Sequence, residues 1–296
     1  MPHRNHTARS TTARGARRRV TTVTAAAAVI LAAATALTGC AASTAGTGVA
    51  AGCKPKDTFS TIQKGTLTVT LSALPPFITS QGTSLGGIDG DILNAFAKEE
   101  CVTVTATPVA TAAVIPAVQT GRSDVAAGSW WRSASRAKIV GLTEPVYLDQ
   151  MAFVSKEGYD TVPSLKGKTV GTVDGDLWVG EAKAYYGDDL KIYKSTTDMY
   201  QDLKAGRLQV AMDSFGSGSF NAPNLKVKVA KPDSVIGASL QPPQTTFPIS
   251  FDNPALLKAL DGFIATIKAN GQLAKILQSH GLPGSAANTG APRLIS

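Results

Sequence analysis

From Thr66 to Ala127 the chain alternates between two hydrophobic periods, with connections short enough to demand a layered α/β unit. Thr66–Leu71 (TLTVTL) and Val102–Thr107 are rich in β-branched residues and read as strands, and Ser123–Ala127 reads as a third. Between them lie segments of helical period. One runs through Ile92, Leu93 and Phe96, with Asp89 or Asp91 as its expected cap and an end near Glu100. The other carries Val114, Ile115 and Val118 and closes at Gly121. Strands joined through helices cross over and lie parallel.

The same order then recurs. Residues 168–173, 190–193 and 208–212 read as strands, with helices at 178–185 and 197–205 between them. Gln119–Ala126 (QTGRSDVA) echoes Leu203–Ala211 (LKAGRLQVA): a helix end, a glycine stop and an entering strand. Two explanations stay open, namely two similarly built lobes or one common loop used twice. Residues 246–251 read as a further strand. A long helix follows, capped by Asn253 with Pro254 at its first position and Asn270-Gly271 at its end. Leu256, Leu257, Leu260, Phe263, Ile264 and Ile267 fall on one face at helical spacing, the mark of a core surface. A last helix is expected from Gln272 to Ser279.

Ahead of this unit stands a different kind of sequence. Arg4, Arg9, Arg14, Arg17, Arg18 and Arg19 precede an apolar run from Val20 to Leu37, and Leu37-Thr38-Gly39-Cys40 follows. A basic start, an apolar run and small residues make an export signal. The ending resembles a bacterial lipobox, which implies cleavage after residue 39 and lipidation of Cys40. The alternative is a membrane-spanning anchor, since the run is about long enough to cross a bilayer. The Arg17-Arg18 pair leaves the export route, general or twin-arginine, open. Residues 40–56 are expected as a flexible tether and residues 284–296 as a flexible tail. About 230 residues remain to fold, enough for two lobes.

Removing residues 1–39 changes the charge balance. The chain has 29 Lys+Arg and 21 Asp+Glu, a net of +8; six arginines leave with the signal, so 23 basic residues face 21 acidic ones, a net of +2. A nucleic-acid partner loses its main support. With Cys40 lipidated, Cys53 and Cys101 remain, and two cysteines in an exported protein favour a disulfide over two buried thiols. Of the 3 His, only His280 lies beyond the signal. That is too few for a zinc site and weakens any Ser-His or Cys-His catalytic arrangement, so no metal, cofactor or catalytic residue is expected. Gly82-Thr83-Ser84-Leu85-Gly86 fits the nucleophile-elbow pattern, but Pro75-Pro76 and a polar loop precede it where a strand is required. It reads as a turn.

Several segments, in this order, resemble the amino-acid-type (family 3) extracellular solute-binding proteins of bacterial ABC importers: GTLTVTLSALPPF, GGIDGDILNAFAKE, IPAVQTGRSDVAAG, SRAKIVGLTEPVY, SLKGKTVGTVDGD, YQDLKAGRLQVAMD and ALDGFIATIKANGQLAKIL. The resemblance runs from Gly65 to Pro283. It implies a two-lobed periplasmic-binding-protein-like (type II) α/β fold, each lobe a mixed sheet flanked by helices, with two crossing strands as hinge. Lobe 1 would comprise residues 57–153 and 246–283 and lobe 2 residues 154–245, with crossings near Phe153–Lys156 and Gln244–Phe247. It implies capture of an amino acid or related small solute for import by ABC permease subunits, by a monomer lipid-anchored to the outer face of the cell membrane. A sensor receptor and a dehydratase-type enzyme on the same fold are the rival functions, with Glu144 or Asp176 as acids for the latter.

The resemblance also assigns a site. The family's carboxylate-binding arginine matches Arg136, seven residues before Thr143; a guanidinium suits the task because it donates two parallel bonds. The family's ammonium-binding Asp is offset here, with Asp213 one residue early and Ser214 in its place. Trp131 replaces a small hydroxyl residue, Gly175-Asp176-Leu177 replaces a Gly-Thr-Thr turn, and Leu74, with Phe77 nearby, replaces an aromatic. Ser129, Trp130 and Trp178 complete the expected ligand-binding set. The departures suggest a ligand that is not a simple polar amino acid but carries a bulky apolar, aromatic or alkylated-cationic part, with Asp174 and Asp176 supplying negative charge beside the tryptophans.

Overall fold

The computed structural model describes residues 49–295; the expected signal and Cys40 lie outside them. Two five-stranded sheets carry the fold. In the first, the order is Thr103–Pro108, Thr66–Leu71, Val125–Ala127, Pro248–Ile249, Gly141–Leu142. In the second it is Leu190–Tyr193, Val170–Val173, Val210–Ser214, Met151–Ser155, Lys226–Val229. Each has three parallel strands followed by two that join antiparallel. The sequence echo is therefore architectural. Val125–Ala127 and Val210–Ser214, the strands that follow the two echoed glycines, take the same third place in their sheets.

Parallel strands covered on both faces should be apolar throughout, and Val170–Val173 and Val210–Ser214 are buried at every position. The helix Pro254–Ala269 buries Leu256, Ala259, Leu260, Phe263, Ile264 and Ile267, and the Asn253 side chain accepts from Leu256 N. Each such side chain contributes about 1.5–3 kcal/mol by leaving water. Phe263 meets Phe96 of the helix Gly87–Glu99 edge to face at 5.6 Å.

Several boundaries differ from expectation. Asp89 does not cap the helix Gly87–Glu99; Gly86 precedes it, and Asp89 is buried inside the first turn. The strand Met151–Ser155 already pairs on both sides within the second sheet, so the first crossing falls at Leu148–Gln150. Leu148 bridges Gln244, where the chain returns, and Thr245 already pairs with Trp131. Residues 53–56 are not loose: Cys53 is bonded to Cys101, with Cα atoms 5.7 Å apart, and Lys56 pairs with Glu99 at 3.0 Å. Nor is 284–295 a free tail. Gly284–Ala287 forms a 3-10 turn and Ile295 is buried, because this segment finds hydrogen-bond partners along the hinge. Ser84–Gly86 pairs with Thr79–Gln81, which makes the elbow-like motif a hairpin.

Among the described residues no helix is long and apolar enough to cross a membrane.

Candidate functional site

The two lobes meet tightly. Arg136 Nη2 donates to Gly175 O of the second lobe at 3.4 Å, and Trp131 touches Trp178 with ring centroids 5.1 Å apart. Gly175 has φ +99, and a Cβ there would stand 3.0 Å from Ala112 of the helix Thr111–Gln119. Gly216 lies against the Phe77 ring, 2.4 Å from where its own Cβ would be. Both glycines exist where one lobe's backbone presses on the other. Between the lobes lies a cavity of about 60 Å³, bounded by Ser129, Arg136, Asp149, Asp176, Asp213 and the three tryptophans among others.

On the first lobe the wall is set by a buried acid. Asp89 Oδ2 accepts from the amides of Gly128 and Ser129 at 2.8 and 2.9 Å, and its Oδ1 accepts from Tyr147 Oη at 2.7 Å. These bonds hold Ser129 at φ 54, a conformation uncommon for a residue with a side chain. Ser129 Oγ then donates to Asp149 Oδ2 at 2.9 Å. Arg136 opens the 3-10 turn Arg136–Lys138, where Ser133 Oγ accepts its amide at 3.3 Å. Its guanidinium lies 4.7 Å over the Trp130 ring, and Nη1 donates to Trp131 O at 3.0 Å. Two of its five N–H groups are thus engaged. Burial lowers its pKa to about 10, with nearby Asp176 opposing the shift, so it stays a cation at neutral pH.

The second lobe contributes acids. Asp213 accepts from Tyr200 Oη at 2.9 Å, Ser217 Oγ at 2.6 Å and Ser214 N at 2.7 Å. Both neighbours in the uncertain pair line the cavity: Asp213 turns its carboxylate to this network, and Ser214 caps the helix Phe215–Asn221. Asp176 Oδ2 accepts from Thr172 Oγ1 and Val173 N, both at 3.2 Å, and Thr172 Oγ1 in turn accepts from Trp178 Nε1 at 2.7 Å. Asp149 sits at the crossing. Burial raises Asp149 and Asp176 to about 7 each, and the like charge of Asp213 adds to both shifts. Burial raises Asp213 as well. The cavity therefore holds three buried carboxyl groups and one guanidinium.

Of the expected site residues, Leu74, Ser129, Trp130, Trp131, Arg136, Asp176, Trp178, Asp213 and Ser214 line this cavity. Phe77 does not; it is fully buried and stacks on Tyr147 at 5.9 Å, because its ring fills the first core beneath the cleft. Asp174 turns outward to Lys194 at 2.7 Å, and Glu144 is exposed with its amide bonded to Asp261. The open aromatic walls expected from the tryptophans are already engaged, Trp130 with Arg136 and Trp131 with Trp178. Sequence reasoning missed Asp149 and the placing role of Asp89. Asp89 carried a signal, an acid at a helix start, but it was compatible with an ordinary cap. Asp149 is a lone acid after Tyr147-Leu148, and no local pattern marks it. Among the described residues no group of three His, Cys, Asp or Glu side chains is placed to hold a metal ion.

The family model for bacterial extracellular solute-binding proteins, family 3, matches residues 67–283. The ABC transporter arginine-binding protein 1 of Escherichia coli K12 is 27% identical over 217 residues, covering 68% of this chain and 84% of that protein. The histidine-binding periplasmic protein of the same strain is 26% identical over 212 residues, covering 68% and 80%. Among solved structures, an ancestral arginine-binding protein bound to glutamine superposes with a TM-score of 0.64 at 26% identity, covering 74% of this chain and 99% of that one.

Proposed function

Since the chain belongs to the bacterial extracellular solute-binding proteins of family 3, we propose that it captures an amino acid with a cationic side chain between its lobes and delivers it to an ABC permease. The observation that carries this reading is the charge of the cavity: Asp149, Asp176 and Asp213 against Arg136 alone. A ligand α-carboxylate takes the guanidinium, through bonds worth about 1.5–3 kcal/mol each. The α-ammonium offsets one carboxylate, and a further positive charge is needed to offset a second. Burying unpaired carboxylates is costly, so a cation gains more by closing the lobes than a neutral or acidic amino acid does. The arginine- and histidine-binding relatives agree with this class. A ligand shifts the lobes toward closure only by its preference for the closed form.

The protein acts by binding rather than catalysis in this reading, as its named relatives do. Cys40 carries the lipid that holds it to the outer face of the membrane, and it works as a monomer. Cys40→Ala should release it from the membrane fraction or leave it uncleaved.

Calorimetry with L-arginine, L-lysine, L-histidine, L-glutamine, L-glutamate and glycine betaine tests the ligand class. A cationic amino acid should bind at micromolar Kd or tighter and L-glutamate at least a hundredfold more weakly. Tighter binding of L-glutamate overturns the reading. A preference for betaine would favour an alkylated ammonium, for which Trp131 and Trp178 beside Asp176 in the cavity lining are the supporting feature.

A further inference from the structure

The segment Gly284–Ile295 lies beyond the residues that match the family, and it is bonded along the whole hinge. Leu148, at the first crossing, donates its amide to Ala286 O at 2.9 Å. Gln244, at the second crossing, is almost fully buried and spends its entire side chain on this segment. Its Nε2 donates to Thr289 O and Ala291 O, both at 2.8 Å, and its Oε1 accepts from Arg293 N at 2.9 Å. Arg293 reaches back to Pro242 O, and Lys268 of the first lobe donates to Thr289 Oγ1 at 2.9 Å.

The segment ends in a single parallel β-bridge between Ile295 and Ser133, beside the arginine loop. Ile295 N donates to Arg132 O at 3.0 Å, and Ala134 N donates to Ile295 O at 2.9 Å, so both bonds flank Ser133. Ser133 in turn accepts the Arg136 amide. The side chain of Ile295 is 6% exposed and belongs to the apolar cluster in which Trp131 of the first lobe meets Trp178, Met151 and Phe153. One short segment is thus hydrogen-bonded to the first lobe and to both crossings, and it shares the apolar cluster that joins the lobes at Trp131 and Trp178. Lobes that swing apart divide that cluster and turn about the crossings that the segment ties together.

We propose that Gly284–Ile295 is a third hinge strap that positions the Arg136 loop and favours the closed cleft, with Ile295 and Gln244 as its positioning residues. The part about Arg136 rests on the ligand reading above; the part about closure does not. Three proteins test it: wild type, Ile295→Ala, and a chain ended after Pro283 in case a single substitution is absorbed by repacking. The primary measurement uses no ligand. Acrylamide quenching of the three buried tryptophans, with small-angle scattering, should show both variants more open, at an unchanged far-ultraviolet circular dichroism spectrum. The second measurement is stopped-flow dissociation of L-arginine, expected to quicken at least fivefold in both variants. Unchanged quenching and scattering in the shortened chain overturn the strap. So does an increase that appears only together with loss of native circular dichroism, since the segment would then merely support the fold. If L-arginine fails to bind the wild type, the ligand reading fails while the quenching arm still decides the strap.

Discussion

The two walls of the cleft are built to the same standard and carry opposite charge. On the first lobe, Asp89 fixes Gly128 and Ser129, and Trp130 and the Trp131 carbonyl fix the cation Arg136. On the second, Tyr200 and Ser217 fix Asp213, and Thr172 fixes Asp176. Neither wall waits for ligand to acquire its shape, so little ordering cost is left for the moment of binding. The difference lies in what closure does to each. The first wall brings one charge, held cationic and half-satisfied by carbonyls. The second wall and the crossing bring three acids whose pKa values burial raises. Closure without ligand therefore gathers more acidic groups than cationic ones, to be offset by bound protons or, in the proposed reading, by a positive charge on the ligand.

Removing the single cation should have the largest effect. In the proposed reading Arg136→Ala deletes the partner of the ligand carboxylate, and two charge-assisted bonds at about 1.5–3 kcal/mol each correspond to at least a hundredfold weaker binding. Because Arg136 is buried over Trp130, the substitution also loses packing, and Tm should fall with it. Arg136→Lys separates the two effects: it keeps the charge but not the fork, and should recover part of the affinity. Calorimetry of L-arginine against all three proteins checks this. Wild-type affinity in Arg136→Ala would remove the first wall from recognition.

Acidity tests the second wall. A free carboxyl titrates at about pH 4, whereas Asp149 and Asp176 are raised to about 7 in the folded protein. Between these values the folded state holds protons that the unfolded state has released, so ligand-free stability should fall as pH rises from about 4 to 7. Cation binding has the reverse sign. A cationic ligand favours the ionised carboxylates, so it must expel their protons below pH 7, and L-arginine affinity should weaken by roughly tenfold or more from pH 7.5 to 5.5. In Asp149→Asn the slope should shrink, and affinity at pH 7.5 should be lower. Calorimetry across this range with matched thermal melts reads both signs at once. Affinity that strengthens on acidification would mean that the acids do not meet the ligand's positive charge.

How much of this contrast was legible in the sequence depended on whether the cause was local. Helix Pro254–Ala269 was legible to the residue at its start, because Asn253 and Pro254 state a cap and a first turn within two positions. Arg136 was assigned through the family resemblance within one continuous segment, and its side chain does line the cavity. The acidic wall was legible only in part: the resemblance pointed to Asp176 and Asp213, whereas nothing local marked Asp149, and the three are brought together only by the crossings and the second sheet. The segment beyond Pro283 misled for a related reason: its small polar composition signals a tail, and its partners, Gln244 and Arg132, lie 45 or more residues away in the chain, a separation that no local pattern reports. Phe77 misled in the opposite direction, since proximity in sequence to Leu74 suggested a cleft aromatic, while the chain turns its ring into the core.

The smallest expected effect comes from the contact between the walls rather than from either charge. Gly216 is the second residue of the helix Phe215–Asn221, and a Cβ there would stand 2.4 Å from the tip of the Phe77 ring. That ring is fully buried and stacked on Tyr147, so it cannot retreat without disturbing the first core. Gly216→Ala should therefore hold the lobes slightly apart, at an overpacking cost of about 1–3 kcal/mol that falls on the closed form. Within its own helix the same change is favourable by roughly 0.5–1 kcal/mol, since alanine loses less backbone freedom than glycine. The two consequences have opposite signs and separate cleanly. Ligand affinity should drop several-fold, scattering should show a more open ligand-free molecule, and Tm without ligand should hold or rise. Unchanged affinity with an unchanged Tm would mean that the walls do not need this contact to close. The recognition would then rest on the charges alone.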